Sequence, residues 1–276
     1  MNEAICGLCP HRCRIAEGHT GLCGARSNRD GEIVCENYGR ITSLALDPIE
    51  KKPLRRFHPG SRILSAGSYG CNLRCPFCQN HSISMADGAK ARAVFVSPEE
   101  LTQKAQELVP QGNIGLAFTY NEPLISYEYV RDCAELCRKG GLKTVAVTNG
   151  YICEEPLRRL LPLLDAVNID LKGFTSEFYR KLGGTLEDVK RTISICAEEC
   201  HLEITTLIVP GENDGAEEMR RLSGWLASLN SEIPLHVTRF FPYYHMTEKA
   251  PTPVETVYSL ASIARSSLRY VYEGNC

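Results

Sequence analysis

Residues 67–81 read Gly-Ser-Tyr-Gly-Cys-Asn-Leu-Arg-Cys-Pro-Phe-Cys-Gln-Asn-His, and the rest of the chain is organised around them. They place Cys71, Cys75 and Cys78 in a C-x3-C-x2-C array directly after an expected strand, Arg62 to Gly67. Three thiolates in one tight loop suit three irons of a [4Fe–4S] cube and leave the fourth iron without a protein ligand. An electron carrier normally closes its cluster with four cysteines. An open iron is what a catalyst needs, because substrate can then coordinate the metal, as at the open position of a catalytic zinc. The plainer readings are a zinc knuckle or three unrelated core cysteines, and spacing alone leaves them open.

At 276 residues the chain fits one large α/β domain with a small appendage. Its 43% hydrophobic content is enough to fill a real core. A formal net charge of −2 gives no global reason to expect nucleic acid or membrane as partner. Cysteine is the outlier, with 14 residues, but the chain is long and its start, Met-Asn-Glu-Ala-Ile-Cys-Gly, lacks a basic, apolar leader. No run approaches the roughly 18 apolar residues that span a bilayer. The cysteines therefore read as metal ligands and buried thiols in a reducing cytoplasm.

Working outward toward the N-terminus, Cys6, Cys9, Cys13 and Cys23 form C-x2-C-x3-C-x9-C, with His11 and His19 nearby. Four soft ligands on a Gly-rich segment too short for its own core suggest a metal staple. Structural zinc, a second Fe–S cluster and unligated thiols all remain open. Residues 31–45 alternate weakly and suggest a small hairpin. Residues 47–60, with three prolines and Lys51, Lys52, Arg55 and Arg56, read as an ordered linker. Its basic run is either a solvated face or lines the mouth of the site and meets an anionic substrate. The division is thus 1–60 as Cys-rich extension and linker, and 61–276 as the main domain.

From Arg62 the pattern is strand then helix, repeated. Ser97-Pro98-Glu99-Glu100 is a helix start with a capping box. Strands are expected at 114–119, 144–147, 166–171, 202–209 and 235–241, with one further strand at 270–272. Helices fall between them. About six such units indicate a parallel sheet of βαβ units, too few to close an eight-stranded barrel, so an open partial (βα)6 barrel is expected. Parallel βαβ units put all the strand C-terminal ends on one rim, where α/β barrels build their sites. Asn121-Glu122, Thr148-Asn149, Asp170/Lys172 and Tyr244-His245 all fall there, with the cysteine loop. Asp170 and Lys172 flank Leu171 and so point to one face. A zwitterionic ligand would meet both. The plainer readings are a helix-start acid for Glu122, an Asn-Gly turn for Asn149-Gly150, a solvent salt bridge for Asp170/Lys172 and an ordinary histidine for His245. Cys133/Cys137 and Cys196/Cys200 read as core packing, and Cys35, Cys153 and Cys276 receive no role.

The set Gly-Cys-Asn-Leu-Arg-Cys-Pro-Phe-Cys-Gln-Asn, Asn-Glu-Pro, Thr-Asn-Gly-Tyr, Asn-Ile-Asp-Leu-Lys, Ile-Val-Pro-Gly and Phe-Pro-Tyr-Tyr-His resembles the pyruvate formate-lyase activating enzyme group of the radical S-adenosylmethionine (SAM) superfamily. Cys-Gly-Leu-Cys-Pro-His-Arg-Cys and Asp-Pro-Ile-Glu-Lys-Lys-Pro-Leu resemble, more narrowly, the AmmeMemoRadiSam system radical SAM enzyme. The likeness runs from Cys6 to Asn275. It implies a cluster on Cys71, Cys75 and Cys78 whose open iron chelates SAM and whose electron releases a 5′-deoxyadenosyl radical. It further implies SAM contacts from Phe77, Asn121, Glu122, Thr148, Asn149, Asp170, Lys172 and His245. A flavodoxin or ferredoxin as electron donor, a possible protein substrate, and a link to AMMECR-like and Memo-like proteins are implied as well.

The match has departures. Activating enzymes often carry an acid just before Thr-Asn-Gly, where this chain has Val147. They tend to carry an arginine on the strand before Val-Pro-Gly, where this chain has Thr205 and Thr206. The expected activity is hydrogen abstraction from, or radical addition to, a substrate: a glycine Cα of a partner enzyme, or a small molecule or another protein residue. The reading from another class is a noncatalytic Fe–S or zinc protein that carries electrons or scaffolds a complex.

Overall fold

The apolar runs after Arg62 fold as strands and the capped amphipathic segments as the helices between them. The computed structural model describes residues 2–276. One sheet contains β1 (Ser43–Pro48), β2 (Arg62–Gly67), β3 (Asn113–Phe118), β4 (Lys143–Thr148), β5 (Ala166–Asp170), β6 (His201–Ile208), β7 (Leu235–Arg239) and β8 (Val271–Gly274). Their spatial order is β8-β7-β6-β5-β4-β3-β2-β1, with β2 to β8 parallel and β1 antiparallel on β2. The two edge strands do not pair with each other, so the barrel is open, as expected. The crossovers carry α1 (Pro98–Glu107), α2 (Tyr127–Lys139), α3 (Glu154–Leu160), α4 (Ser176–Lys181), α5 (Leu186–Glu199), α6 (Ala216–Asn230) and α7 (Val254–Ala264).

Helix α1 begins where its sequence says it must. The Ser97 side chain accepts from the Glu100 N–H at 3.2 Å, and the Glu100 carboxylate accepts from the Ser97 N–H at 2.8 Å. Losing such a cap costs about 1 kcal/mol. One face of the sheet buries Leu64, Leu116, Phe118, Val167, Ile169, Ile204 and Val237 in the main core. Cys133, Cys137 and Cys196 are fully buried there, as read from sequence, with Cys200 packed beside them.

The opposite face differs from expectation. Residues 47–60 are not a spacer: Ile49, Leu54 and Phe57 pack against Ile63, Ala117, Val145 and Ala166 and plug the barrel from below. Each such side chain contributes roughly 1.5–3 kcal/mol by leaving water. Lys52, on the basic run, is buried, paired with Asp47 at 2.8 Å and set over the Tyr120 ring at 4.6 Å. β1 also carries the sheet back across residue 60. Its half-exposed Ser-Leu-Ala-Leu-Asp-Pro has little hydrophobic pattern, so only pairing with β2 reveals it. The hairpin suggested near 31–45 is instead Arg26–Arg29 with Glu32–Cys35, and Arg40–Ile41 pairs with Val94–Phe95.

The N-terminal residues lie on the barrel rather than apart from it. Arg26 makes a two-pronged ion pair with Glu128 of α2, and the Cys153 N–H donates to the Leu8 carbonyl at 3.0 Å. No helix among the described residues is long and apolar enough to cross a membrane.

Candidate active site

Strand ends and one loop build the site. The Asn121 side chain accepts from the Ser68 N–H at 3.0 Å and donates to the Tyr69 and Gly70 carbonyls, both at 3.1 Å. Its role is therefore to hold the start of the cysteine loop. Gly70 sits at φ +87°, and a Cβ there would lie 2.5 Å from the Cys23 carbonyl oxygen. Only glycine permits both that conformation and that approach. The same Cys23 carbonyl accepts from the Cys71 N–H at 3.2 Å, so the N-terminal segment braces the loop. Asn72 donates to the Tyr151 carbonyl at 2.6 Å and accepts from Asn149 at 2.9 Å, tying the loop to the end of β4.

Above the plug, at the C-terminal ends of the strands, lies a cavity of about 540 Å³, within the range of small-molecule sites. Cys71, Cys75, Cys78, Phe77, Asn121, Glu122, Thr148, Asn149, Asp170 and Lys172 all line it. Motifs spread over a hundred residues thus meet in one place. His245 does not join them. It is exposed on the loop after β7, its ring against Tyr244, and only its backbone N–H reaches the cysteine loop, at the Pro76 carbonyl (2.9 Å). Phe77 is 3% exposed and stacks on Phe178, forming an apolar wall beside the thiols.

The charges in the cavity are unevenly satisfied. Glu122 is 3% exposed. It accepts from the Thr148 hydroxyl at 2.6 Å, the Asn149 N–H at 2.7 Å and the Leu124 N–H at 3.0 Å. All three donors are neutral. Burial pushes its carboxyl up to about 7 against the pull of those bonds, and the nearby Asp170 charge adds to the push. It is both a helix-start acid and a cavity wall, so the two readings of its sequence position are not exclusive. The Asn149 side chain closes the bend after β4 by accepting from the Tyr151 N–H at 2.8 Å, with Gly150 at φ +70°, while Thr148 and Asn149 supply two of the three bonds to Glu122. Asp170 and Lys172 pair at 2.6 Å and both face the cavity. Burial alone would lower the Lys172 ammonium; the Asp170 carboxylate and then Cys75 outweigh it and hold the charge in place.

The thiols suit soft-metal ligation. Burial raises Cys71 well above an ordinary thiol, with the Glu122 charge second, and raises Cys75 to about 11. Iron ligation must displace those protons. The Cys71 sulfur already accepts weak bonds from the Leu73 N–H at 3.4 Å and the Asn149 amide at 3.6 Å, the kind of contact that tunes cluster sulfurs. No fourth cysteine lines the cavity among the described residues. No three His, Cys, Asp or Glu side chains there converge on a single metal ion. For the cysteine loop that is no objection, because three ligands to three corners of a cube do not share a point. The donor set fits a site-open cluster.

A family model described as the Radical SAM superfamily matches residues 66–223. The chain belongs to the radical SAM superfamily. It is 39% identical over 278 residues to the uncharacterized protein MJ0808 of Methanocaldococcus jannaschii, covering 99% of this chain and 82% of that one. It is 26% identical over 195 residues to pyruvate formate-lyase 1-activating enzyme of Escherichia coli, covering 68% and 76%. Its fold is similar to Streptococcus suis SuiB bound to S-adenosylmethionine, with a TM-score of 0.55 at 13% identity, covering 77% and 48%. Membership implies a [4Fe–4S] cluster and SAM as cofactors.

The N-terminal cysteines stand differently in this radical SAM chain. Cys6, Cys9 and Cys23 are buried and Cys13 half-buried, and burial pushes Cys9 up to about 12. A tetrahedral zinc needs its ligands to converge, and these do not. Sequence reasoning also passed over the inward polar positions of β6 and β7. Thr205, His236 and Thr238 line the cavity, as does Arg55 of the plug. The period-2 alternation of Leu235-His236-Val237-Thr238 was the available signal.

Proposed function

We propose that the chain is a radical SAM enzyme in which Cys71, Cys75 and Cys78 hold the cluster and SAM lies across Glu122, Asp170 and Lys172. The observation that carries this reading is the meeting of the three thiols and three charged side chains in one cavity. When bound, the cluster supplies a single electron for reductive cleavage of SAM, and the organic radical released attacks the substrate.

The protein's own residues have distinct parts in that reading. Glu122, surrounded by neutral donors, lacks a cation, and the methionyl ammonium supplies one through a charge-assisted bond. Thr148 and Asn149 fix the carboxylate that makes that bond. The Asp170–Lys172 pair offers one partner to each end of a zwitterion. Phe77 and Phe178 keep water from the thiol wall. The cleavage needs one electron from outside the chain, from a donor such as flavodoxin or ferredoxin in the cell and from dithionite in the assay. At Cys6, Cys9, Cys13 and Cys23 the side chains do not gather on one point as a tetrahedral zinc requires, which leaves a second Fe–S cluster, whose cysteines bind different corners, as the alternative that the iron count of the reconstituted protein tests.

Val147 and Thr205 line the cavity where activating enzymes tend to carry an acid and an arginine. That favours a substrate other than a glycyl-radical enzyme, either a small molecule or a different protein residue. The deciding experiment is anaerobic reconstitution followed by assays for iron, sulfide, zinc, 5′-deoxyadenosine and methionine. About four irons per chain and dithionite-dependent SAM cleavage are expected. Zinc in place of iron, with no cleavage, would establish the scaffold reading instead.

A further inference from the structure

Opposite the cluster loop, the cavity has a corner built by one buried carboxylate. Glu203 of β6 is 0% exposed and faces the barrel interior. Its Oε2 accepts from the Arg55 N–H at 3.0 Å and from His236 Nε2 at 2.7 Å. Its Oε1 accepts from the Arg56 N–H at 2.7 Å and from His201 Nε2 at 2.9 Å. No lysine or arginine side chain pairs with it among the described residues. The two imidazoles are therefore the only side-chain partners for its charge. An ionised carboxylate only accepts, so His236 Nε2 carries a hydrogen, and Nδ1 can donate to an anion only when it too is protonated.

The same carboxylate oxygen thus fixes the backbone of Arg55 and the ring of His236, and both residues line the cavity. Both also meet one aromatic ring on the edge strand: His236 stacks on Tyr272 with centroids 5.4 Å apart, and the Arg55 guanidinium lies 5.7 Å over the same ring. Arg55 has no carboxylate partner among the described residues. The acids at this end of the cavity are engaged elsewhere, Glu273 with Arg265 at 2.7 Å and Glu50 with the Gly60 N–H at 2.7 Å. Strand register puts Asp170, Thr205, His236 and Tyr272 in one row across β5 to β8. His236 is therefore two strands, roughly 10 Å, from the Asp170–Lys172 pair.

We propose that this corner is an anion subsite for the substrate, where the Arg55 guanidinium and, in its imidazolium form, the His236 ring take up a carboxylate or phosphate group. It rests on the reading of the cavity as the active site and adds the substrate class: an anionic molecule whose reacting carbon lies between this corner and the cluster loop. Glu203 is the positioning residue of the pair. It holds both groups without touching the ligand, Arg55 through its backbone N–H and His236 through Nε2–H.

The test is calorimetric titration of the full-length reconstituted protein, with SAM present to cover the open iron. Succinate, inorganic phosphate and uncharged succinamide are the probes, and preference between the first two distinguishes a carboxylate from a phosphate substrate. At least one anion should bind tenfold or more tightly than succinamide. Arg55→Gln, a surface change that leaves the plug intact, and His236→Gln should each weaken that anion fivefold or more, with SAM affinity within twofold of the parent. Glu203→Gln should do the same and alter the ¹⁵N signals of the His236 ring, which a purely structural role would not. Anions binding no better than the amide, unaltered binding in both Arg55→Gln and His236→Gln, or loss of SAM along with the anion would overturn the subsite. Retained, Arg55-dependent anion binding in a parent protein that fails to bind SAM would overturn the proposed function and leave the subsite standing.

Discussion

Two buried glutamates in one barrel behave in opposite ways. Glu122 at the rim is 3% exposed and is pushed up to about 7; Glu203 on the interior wall is 0% exposed and is drawn down to about 2. Burial raises both. What separates them is the donors: Thr148 and two backbone amides at Glu122, against His201, His236 and the Arg56 amide at Glu203. A carboxylate that already has partners able to carry charge is a finished piece of structure. One ringed only by neutral donors is poised for a cation from outside, which is what a ligand-binding carboxylate needs.

The largest effect that tests this division is on the cluster. Replacing Cys71, Cys75 and Cys78 together by alanine should reduce iron from about four per chain to background and abolish SAM cleavage. The urea-unfolding signal of the Glu203 region should persist, because the plug and the inner wall do not depend on the metal. Next, Glu203→Ala removes one member of a buried charge network and should cost about 3–5 kcal/mol in urea unfolding. A loss as large for Glu122→Ala in the SAM-free protein would break the comparison.

The pH dependence has a definite sign. A carboxyl raised from 4.5 to about 7 in the folded state binds its proton more tightly there than when unfolded. Its contribution to stability is fully present below pH 4.5 and is lost as pH rises toward 7, by at most about 3 kcal/mol. Glu203 runs the other way: its contribution is present above 4.5 and is lost as pH falls toward 2. Thermal melting of SAM-free protein from pH 5 to 7.5, compared with Glu122→Gln, isolates the first effect, and the variant should show a flatter profile. Glu122→Gln should also weaken SAM at least tenfold, about 1.4 kcal/mol or more, measured by equilibrium binding. The smallest effect belongs to His245→Ala. With its ring outside the cavity, SAM affinity should change less than twofold; a tenfold loss would mean that the loop after β7 closes over the ligand.

How much was legible in advance varies along the chain for identifiable reasons. The strands after Arg62 were readable because each is a short apolar run bounded by turn residues, and a parallel strand buried on both faces carries its signal locally. Cys71, Cys75, Cys78, Glu122, Asp170 and Lys172 were readable because chemistry restricts them to few residue types at fixed spacing. β1 was missed because an edge strand can be half exposed and pattern-poor. The 47–60 segment reads as a linker because prolines and basic residues look solvated until the hydrophobic trio Ile49, Leu54 and Phe57 is seen to face a barrel interior. His245 was placed in the cavity because its distance from the end of β7 along the chain does not say which way the following loop turns.

The sequence by itself determined the superfamily, the succession of strands and helices along the chain and the three-cysteine loop, since these depend on local periodicity and on residue spacing within a few positions. Only the tertiary structure decided which polar side chains share a cavity and which glutamate is compensated. Those properties arise between residues far apart in the chain, such as Arg55, Glu203 and His236, whose proximity is set by sheet register and by the plug that closes the barrel from below.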